Sequence, residues 1–150
     1  MTEKEKFEKI VNYFNTIMPN ANTELIYKNE YELVVAVILS AQCTDKRVNQ
    51  ITAHFFKKFP DFLSLSKADK KDVYNLIKSC SYPNNKTTHL IKMAQTIINN
   101  YNNKLPENVD ELMKIPGIGR KSANVIASVL FKKPVIAVDT HVHRVCNRIG

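Results

Sequence analysis

Leu112-Met113-Lys114-Ile115-Pro116-Gly117-Ile118-Gly119-Arg120-Lys121-Ser122-Ala123 is the stretch on which the fold turns. Before it, Asn108 is suited to cap a short helix carrying Leu112 and Met113, which Ile115-Pro116-Gly117 then stops. After it, Val125, Ile126, Val129 and Leu130 return at helical spacing up to Phe131. The prediction is helix, tight hairpin, helix over residues 108–131. Two glycines flanking one apolar residue allow a sharp turn. Without side chains at Gly117 and Gly119, amide N–H groups stay open to an approaching anion. The positive end of the second helix adds to that attraction. Neither the dinucleotide fingerprint nor a phosphate loop is completed, since no third glycine follows and no strand precedes. The residues alone leave two readings, a plain helix-helix turn or an anion-binding hairpin.

The flanking sequence is helical on both sides. Thr2 and Glu5 form a capping box, and Phe7, Ile10, Val11, Phe14 and Ile17 recur at helical spacing, which predicts a helix over 3–18 ended by Pro19. Leu33–Leu39 is apolar throughout, a pattern that also suits a buried strand. Asn29 as a cap, Glu30 and Glu32 in the first turn, and the lack of any comparable strand to pair with make it a buried helix. Asp45 is a candidate cap for a helix bearing Val48, Ile51, Phe55 and Phe56, and a short helical turn follows Pro60. Ser66 with Asp69 opens a helix carrying Val73, Leu76 and Ile77. The loop Ser79–Asn84 leads to another from Asn85 to Asn100. Three glycines and six prolines in 150 residues agree with an all-α helical bundle containing the hairpin, plus part of a second helical domain.

The net charge of +8 favours a polyanionic partner, nucleic acid first, although an AT-rich genome also enriches Lys and Asn. Cys43, Cys80 and Cys146 are odd in number, widely spaced and without a C-x-x-C, which indicates neither a disulfide framework nor a zinc site and suits reduced cytoplasmic thiols. Met1–Phe7 is charged, and no run approaches the ~20 apolar residues of a membrane helix. Asp139, His141 and His143 would share one face of a strand as metal ligands, but point apart on the predicted helix, so no metal site is expected.

The hairpin string, together with Ser40-Ala41-Gln42-Cys43-Thr44-Asp45 and Ile136–Val145, resembles the endonuclease III family of helix-hairpin-helix DNA glycosylases and abasic-site lyases. The resemblance runs essentially the whole length of the chain. It implies base-excision repair: removal of oxidised pyrimidines, followed by β-elimination through an imine on a lysine. It assigns Lys121 as the nucleophile, and in this family a lysine there separates lyase-active members from adenine-removing relatives that lack it. An amine suits the task because it can attack the sugar C1′ and then serve as an electron sink. Asp139 becomes the carboxylate that assists proton transfer and stabilises positive charge on the sugar, beside the ordinary role of helix cap. Gln42 and Tyr82 are implied to fill the gap left by a flipped base, with Tyr82-Pro83 standing where a Leu-Tyr pair is frequent. The alternative for Tyr82 is an aromatic cap on the core. Pro116, Gly117, Ile118 and Gly119 are implied to hold DNA, and His141 and Arg144 to face it. Asp45 either positions the site or caps its helix.

The implied partner is double-stranded DNA with a damaged base or abasic site, bound by a monomer in a bacterial, nucleoid-associated setting. The family continues for several helices beyond Gly150 and ends in four cysteines around a [4Fe-4S] cluster. Cys43, Cys80 and Cys146 do not match those ligands, so the chain reads as truncated, with no cofactor of its own. Residues 1–20 and 135–150 then belong to the incomplete second domain and 21–134 to the hairpin domain, leaving Phe7, Val11 and Phe14 partly uncovered. Three rivals stand beside this reading: a noncatalytic helix-hairpin-helix DNA-binding module, a related glycosylase for an oxidised purine or mismatched base, and a helical protein-interaction module without salt-dependent DNA affinity.

Overall fold

A computed structural model describes all 150 residues, which form nine helices and no strand. They are α1 (Glu3–Ile17), α2 (Glu30–Ser40), α3 (Asp45–Lys58), α4 (Phe62–Ser66), α5 (Lys70–Ile77), α6 (Pro83–Asn100), α7 (Val109–Met113), α8 (Arg120–Phe131) and α9 (Thr140–Ile149).

Helix α2 lies at the centre. Asn29 caps it, its side chain accepting from the Glu32 amide at 2.9 Å, and every residue from Leu33 to Leu39 is buried. Helices α3, α6 and α8 all pack on it. This explains the sequence pattern: a helix covered on several sides needs no polar stripe, so it shows no 3.6-residue period. Its valines and isoleucine lower helix propensity by a few tenths of a kcal/mol each, while burying each such side chain contributes about 1.5–3 kcal/mol.

Helix starts follow local chemistry, with three departures from expectation. Thr44, not Asp45, caps α3, its hydroxyl accepting from the Arg47 amide at 3.3 Å. Asp45 is already helical, in the first turn where a carboxylate complements the helix dipole. Asp69 alone caps α5, through the Lys71 amide at 2.9 Å. Ser66 instead closes α4, its hydroxyl donating to the Leu63 carbonyl. Helix α6 begins at Pro83, two residues before the expected Asn85, because proline's fixed φ and missing N–H suit a first turn. The capping box at α1 is complete, with Thr2 and Glu5 bonded in both directions.

One apolar core runs from Leu25 to Ala127, and Phe55, Leu39, Leu90, Met93, Ile97 and Ile126 are among its fully buried members. Helices α1 and α9 contribute no buried residue, and Phe7 and Phe14 are 68% and 50% exposed. The chain's two ends meet, since a Cβ on Gly150 would lie 3.0 Å from Lys6 Nζ.

Tyr31 on α2 buries its ring edge-on to Phe56 and Phe62 and donates its hydroxyl to the Phe59 carbonyl at 2.6 Å. Burial, reinforced by the negative charges of Asp61 and Glu32, pushes its phenol well above the usual range. The neutral phenol's contribution to stability is therefore complete below about pH 10 and is lost as pH rises beyond it. Tyr31→Phe should cost roughly 1–2 kcal/mol by orphaning a buried carbonyl, and should remove this alkaline component. Thermal melts at neutral and strongly alkaline pH check both.

Candidate active site and DNA interface

The last turn of α2, the first turn of α8 and the segment leading into α9 converge on one cleft. Val37, Ser40, Ala41, Gln42, Lys121, Ser122, Val125, Val138, Asp139 and Thr140 line a cavity of about 260 Å³. Ser40, Gln42, Lys121, Asp139 and Thr140 also line an adjoining opening of about 390 Å³, together with Cys43, Thr44, Asp45 and His141. Lys121 and Asp139, eighteen positions apart in sequence and on different elements, thus share one wall.

Lys121 is exposed in the first turn of α8. Gly119 is the N-cap of that helix and has no side chain to cap with. The amides of Gly119, Arg120, Lys121 and Ser122 consequently donate to no acceptor within the protein. This is the open, positively polarised end that binds anions. Asp139 is the N-cap of α9, and its Oδ1 accepts from the Val142 amide at 2.8 Å. That hydrogen bond, opposed by partial desolvation and aided by the nearby charges of Lys121 and His141, holds its carboxyl below the usual carboxylate range. Lys121 and Asp139 form no direct ion pair. The arrangement places an amine and an ionised carboxylate around one small volume, with one carboxylate oxygen held by the Val142 amide.

The two hairpin glycines do different work. Gly117 has φ +85°, and a Cβ there would sit 2.9 Å from His89 Cβ and 3.3 Å from Ile38 Cδ1. Gly119 has φ −89° and ψ −175°, extended backbone open to any residue, and a Cβ there would meet nothing within 4 Å. Only Gly117 is required by the turn and its packing; the space before Gly119 is free for a ligand. Ile118 is buried, and its amide donates to the Ile115 carbonyl, so it anchors the hairpin in the core. Gly117→Ala should destabilise the protein by roughly 2–4 kcal/mol through backbone strain and overpacking against α6, measurable by urea unfolding.

Gln42 and Tyr82 are both exposed and both left-handed, with φ of 55° and 51°. Tyr82 is 66% exposed, so it does not cap the core. His141 pairs with Arg144 at 3.2 Å and His143 with Asn147 at 3.0 Å, all exposed on α9. No three His, Cys, Asp or Glu side chains converge to hold a metal ion. Cys80 is buried, Cys43 half-buried and Cys146 exposed on α9, so the residues present do not fit a four-cysteine cluster. No helix is long and apolar enough to cross a membrane. The sequence reading missed Ser40 and Thr140 in the cleft wall and the buried Lys86 beneath it. A signal for Lys86 existed: it shares a helical face with Leu90, Met93 and Ile97, where a solvated lysine would be out of place.

Residues 35–150 match the model of the HhH-GPD superfamily base excision DNA repair protein family. The chain is 44% identical over 142 residues to endonuclease III of Rickettsia prowazekii, covering 95% of this chain and 67% of that protein. It is 42% identical over 153 residues to endonuclease III of Bacillus subtilis, covering all of this chain and 68% of that one. Among solved structures, a trapped endonuclease III–DNA covalent intermediate superposes with a TM-score of 0.92 at 40% identity, covering 97% of this chain and 68% of that one. A thermostable thymine-DNA glycosylase, at 24% identity and a TM-score of 0.86, shares the fold. The chain belongs to the HhH-GPD superfamily of base excision DNA repair proteins, within its endonuclease III family.

Proposed function

We propose that this chain acts in base-excision repair on duplex DNA as a glycosylase for oxidised pyrimidines, with abasic-site lyase activity. The observation that carries this is the shared cleft: Lys121 and Asp139 face one volume beside the uncapped amides of α8 and the exposed Gln42. Membership of the endonuclease III family supports the reaction class, and likeness to two endonuclease III–DNA complexes supports DNA as the partner.

The chemistry follows from the residues. Hairpin and helix-end amides take a backbone phosphate, while Gln42 and Tyr82 occupy the space left when the damaged nucleotide leaves the stack. Neutral Lys121 Nζ attacks C1′, the N-glycosidic bond breaks, and the base departs with the bonding pair and acquires a proton. The ionised Asp139 stabilises the cationic sugar and relays the proton released from the amine. Ring opening gives an imine. Loss of a C2′ proton then expels the 3′ phosphate by β-elimination, and hydrolysis of the imine returns the lysine. His141 and Arg144, exposed beside the cleft, contact the same strand.

Residues 21–134 form the hairpin domain. Residues 1–20 and 135–150 belong to a second helical unit, a division supported by the absence of buried residues in α1 and α9 and by the meeting of the chain ends. In this reading the protein works as a monomer on nucleoid DNA. Borohydride trapping on a duplex with one abasic site tests the reading: a covalent adduct is expected, and a folded chain that binds DNA without one would be a noncatalytic module. Binding itself should weaken on the order of 10²-fold between 50 and 200 mM salt if about four phosphates are neutralised. A salt-insensitive affinity would contradict the phosphate contacts.

A further inference from the structure

Lys86 is 5% exposed, and no carboxylate pairs with it. Its Nζ lies 2.9 Å from the Leu39 carbonyl and 2.6 Å from the Ala41 carbonyl, at the end of α2. It also lies 3.2 Å from Cys80 Sγ and 3.1 Å from Ser81 Oγ, in the loop before α6. The Ser81 hydroxyl continues the link, 2.7 Å from the Gln42 carbonyl and 3.1 Å from that of Ala41. One ammonium and one hydroxyl therefore stitch together two segments about forty residues apart in sequence. The Cys80 thiol closes the same seam from below, donating to the Leu39 carbonyl at 3.1 Å.

Each stitched segment carries a residue in the left-handed region, which non-glycine residues hold only when their surroundings over-determine it. Those residues are Gln42, whose own carbonyl is bonded, and Tyr82, adjacent to Ser81. A buried ammonium requires desolvation that an apolar side chain in its place would avoid. The negative end of α2 offsets part of that penalty. What the ammonium adds and an apolar residue cannot is three directed donors, fixing carbonyls on one loop relative to a hydroxyl on the other.

We propose that Lys86 and Ser81 are positioning residues that hold the Gln42 and Tyr82 loops at a set separation, so that the two side chains enter the base stack as one preorganised wedge. Neither touches the substrate. This rests on the reading that Gln42 and Tyr82 fill the stack. The link makes duplex opening, rather than lysine chemistry, the step that depends on Lys86.

The experiment compares single-turnover adduct formation by the 150-residue chain on one abasic oligonucleotide, presented single-stranded and in duplex, and reads the duplex to single-strand rate ratio. A single strand has no stack to open. Gln42→Ala with Tyr82→Ala should lower the ratio roughly tenfold or more, which tests the wedge reading separately. Lys86→Met and Ser81→Ala should each lower it by about five- to twentyfold, and Ser81→Thr, which restores the hydroxyl, should recover most of it. Ser81 is half-buried in a loop, so its variants keep the test in force if Lys86→Met does not fold. Equal loss on both substrates, or no loss, in Ser81→Ala and Lys86→Met while the double variant lowers the ratio would overturn the positioning role. An unchanged ratio in the double variant would remove the wedge reading and the positioning role with it.

Discussion

Lys121→Ala yields a folded protein that binds abasic duplex and forms no borohydride-stable adduct, with lyase turnover reduced on the order of 10³-fold or more. The size of the effect follows from the chemistry. No other side chain in the cleft wall is an amine, so removing this one deletes the covalent intermediate itself. Stability should move little, within about 0.5 kcal/mol, because Lys121 is exposed in the first turn of α8 and alanine is a strong helix former. Lys121→Arg sharpens the test. It keeps a positive charge beside the free amides of α8, so salt-dependent DNA affinity should persist, yet a guanidinium cannot form the imine. An adduct that survives in Lys121→Ala would assign the nucleophile to another amine and end the present mechanism.

Asp139→Asn separates catalysis from structure at the second position. Asparagine caps helices as well as aspartate does, so its side-chain oxygen can still accept from the Val142 amide, and stability should change by no more than about 0.5 kcal/mol. Only the charge is lost. Base release should fall by roughly 10²–10³-fold, the range expected when a preorganised carboxylate no longer faces a developing cation. Asp139→Ala should show the same catalytic loss and a further destabilisation of about 1 kcal/mol from the missing cap.

The pH dependence has a definite sign. The Val142 amide first, then Lys121 and His141, hold the Asp139 carboxyl below its ordinary range. The carboxylate therefore stays ionised through neutral and mildly acidic solution. Its stabilising contribution is present above about pH 4 and is lost as pH falls through the lower folded value. Single-turnover excision should accordingly show no Asp139-dependent acid limb near pH 6. An acid limb there that vanishes in Asp139→Asn would contradict the assignment.

Much of this was legible in the order of the residues. Helix starts at Thr2, Asn29, Asn108 and Asp139 were readable because a cap is a contact over three residues of local chain, which sequence spacing encodes directly. The hairpin was readable from Pro116 and Gly117 for the same reason. Where two cap-competent residues adjoin, as at Thr44 and Asp45, local chemistry permits either, and the packing of Val48 and Phe55 into the core sets the register. The all-apolar run at Leu33–Leu39 carried no period to read, since burial on several sides erases it.

Sequence by itself thus determined the all-α class, the helix-hairpin-helix and the basic charge, which rest on local patterns, while the family resemblance of its motif strings pointed to Lys121 and Asp139. Tertiary structure alone decided that those two side chains line one cleft, that Gly117 and not Gly119 is demanded by packing, and that Lys86 lies buried between the Gln42 and Tyr82 loops. The physical reason is range. Capping and turn formation are settled within a few bonds of chain, whereas desolvation, steric contact and the bonding of a buried ammonium depend on segments that meet only when α2, α6 and α8 close around the core.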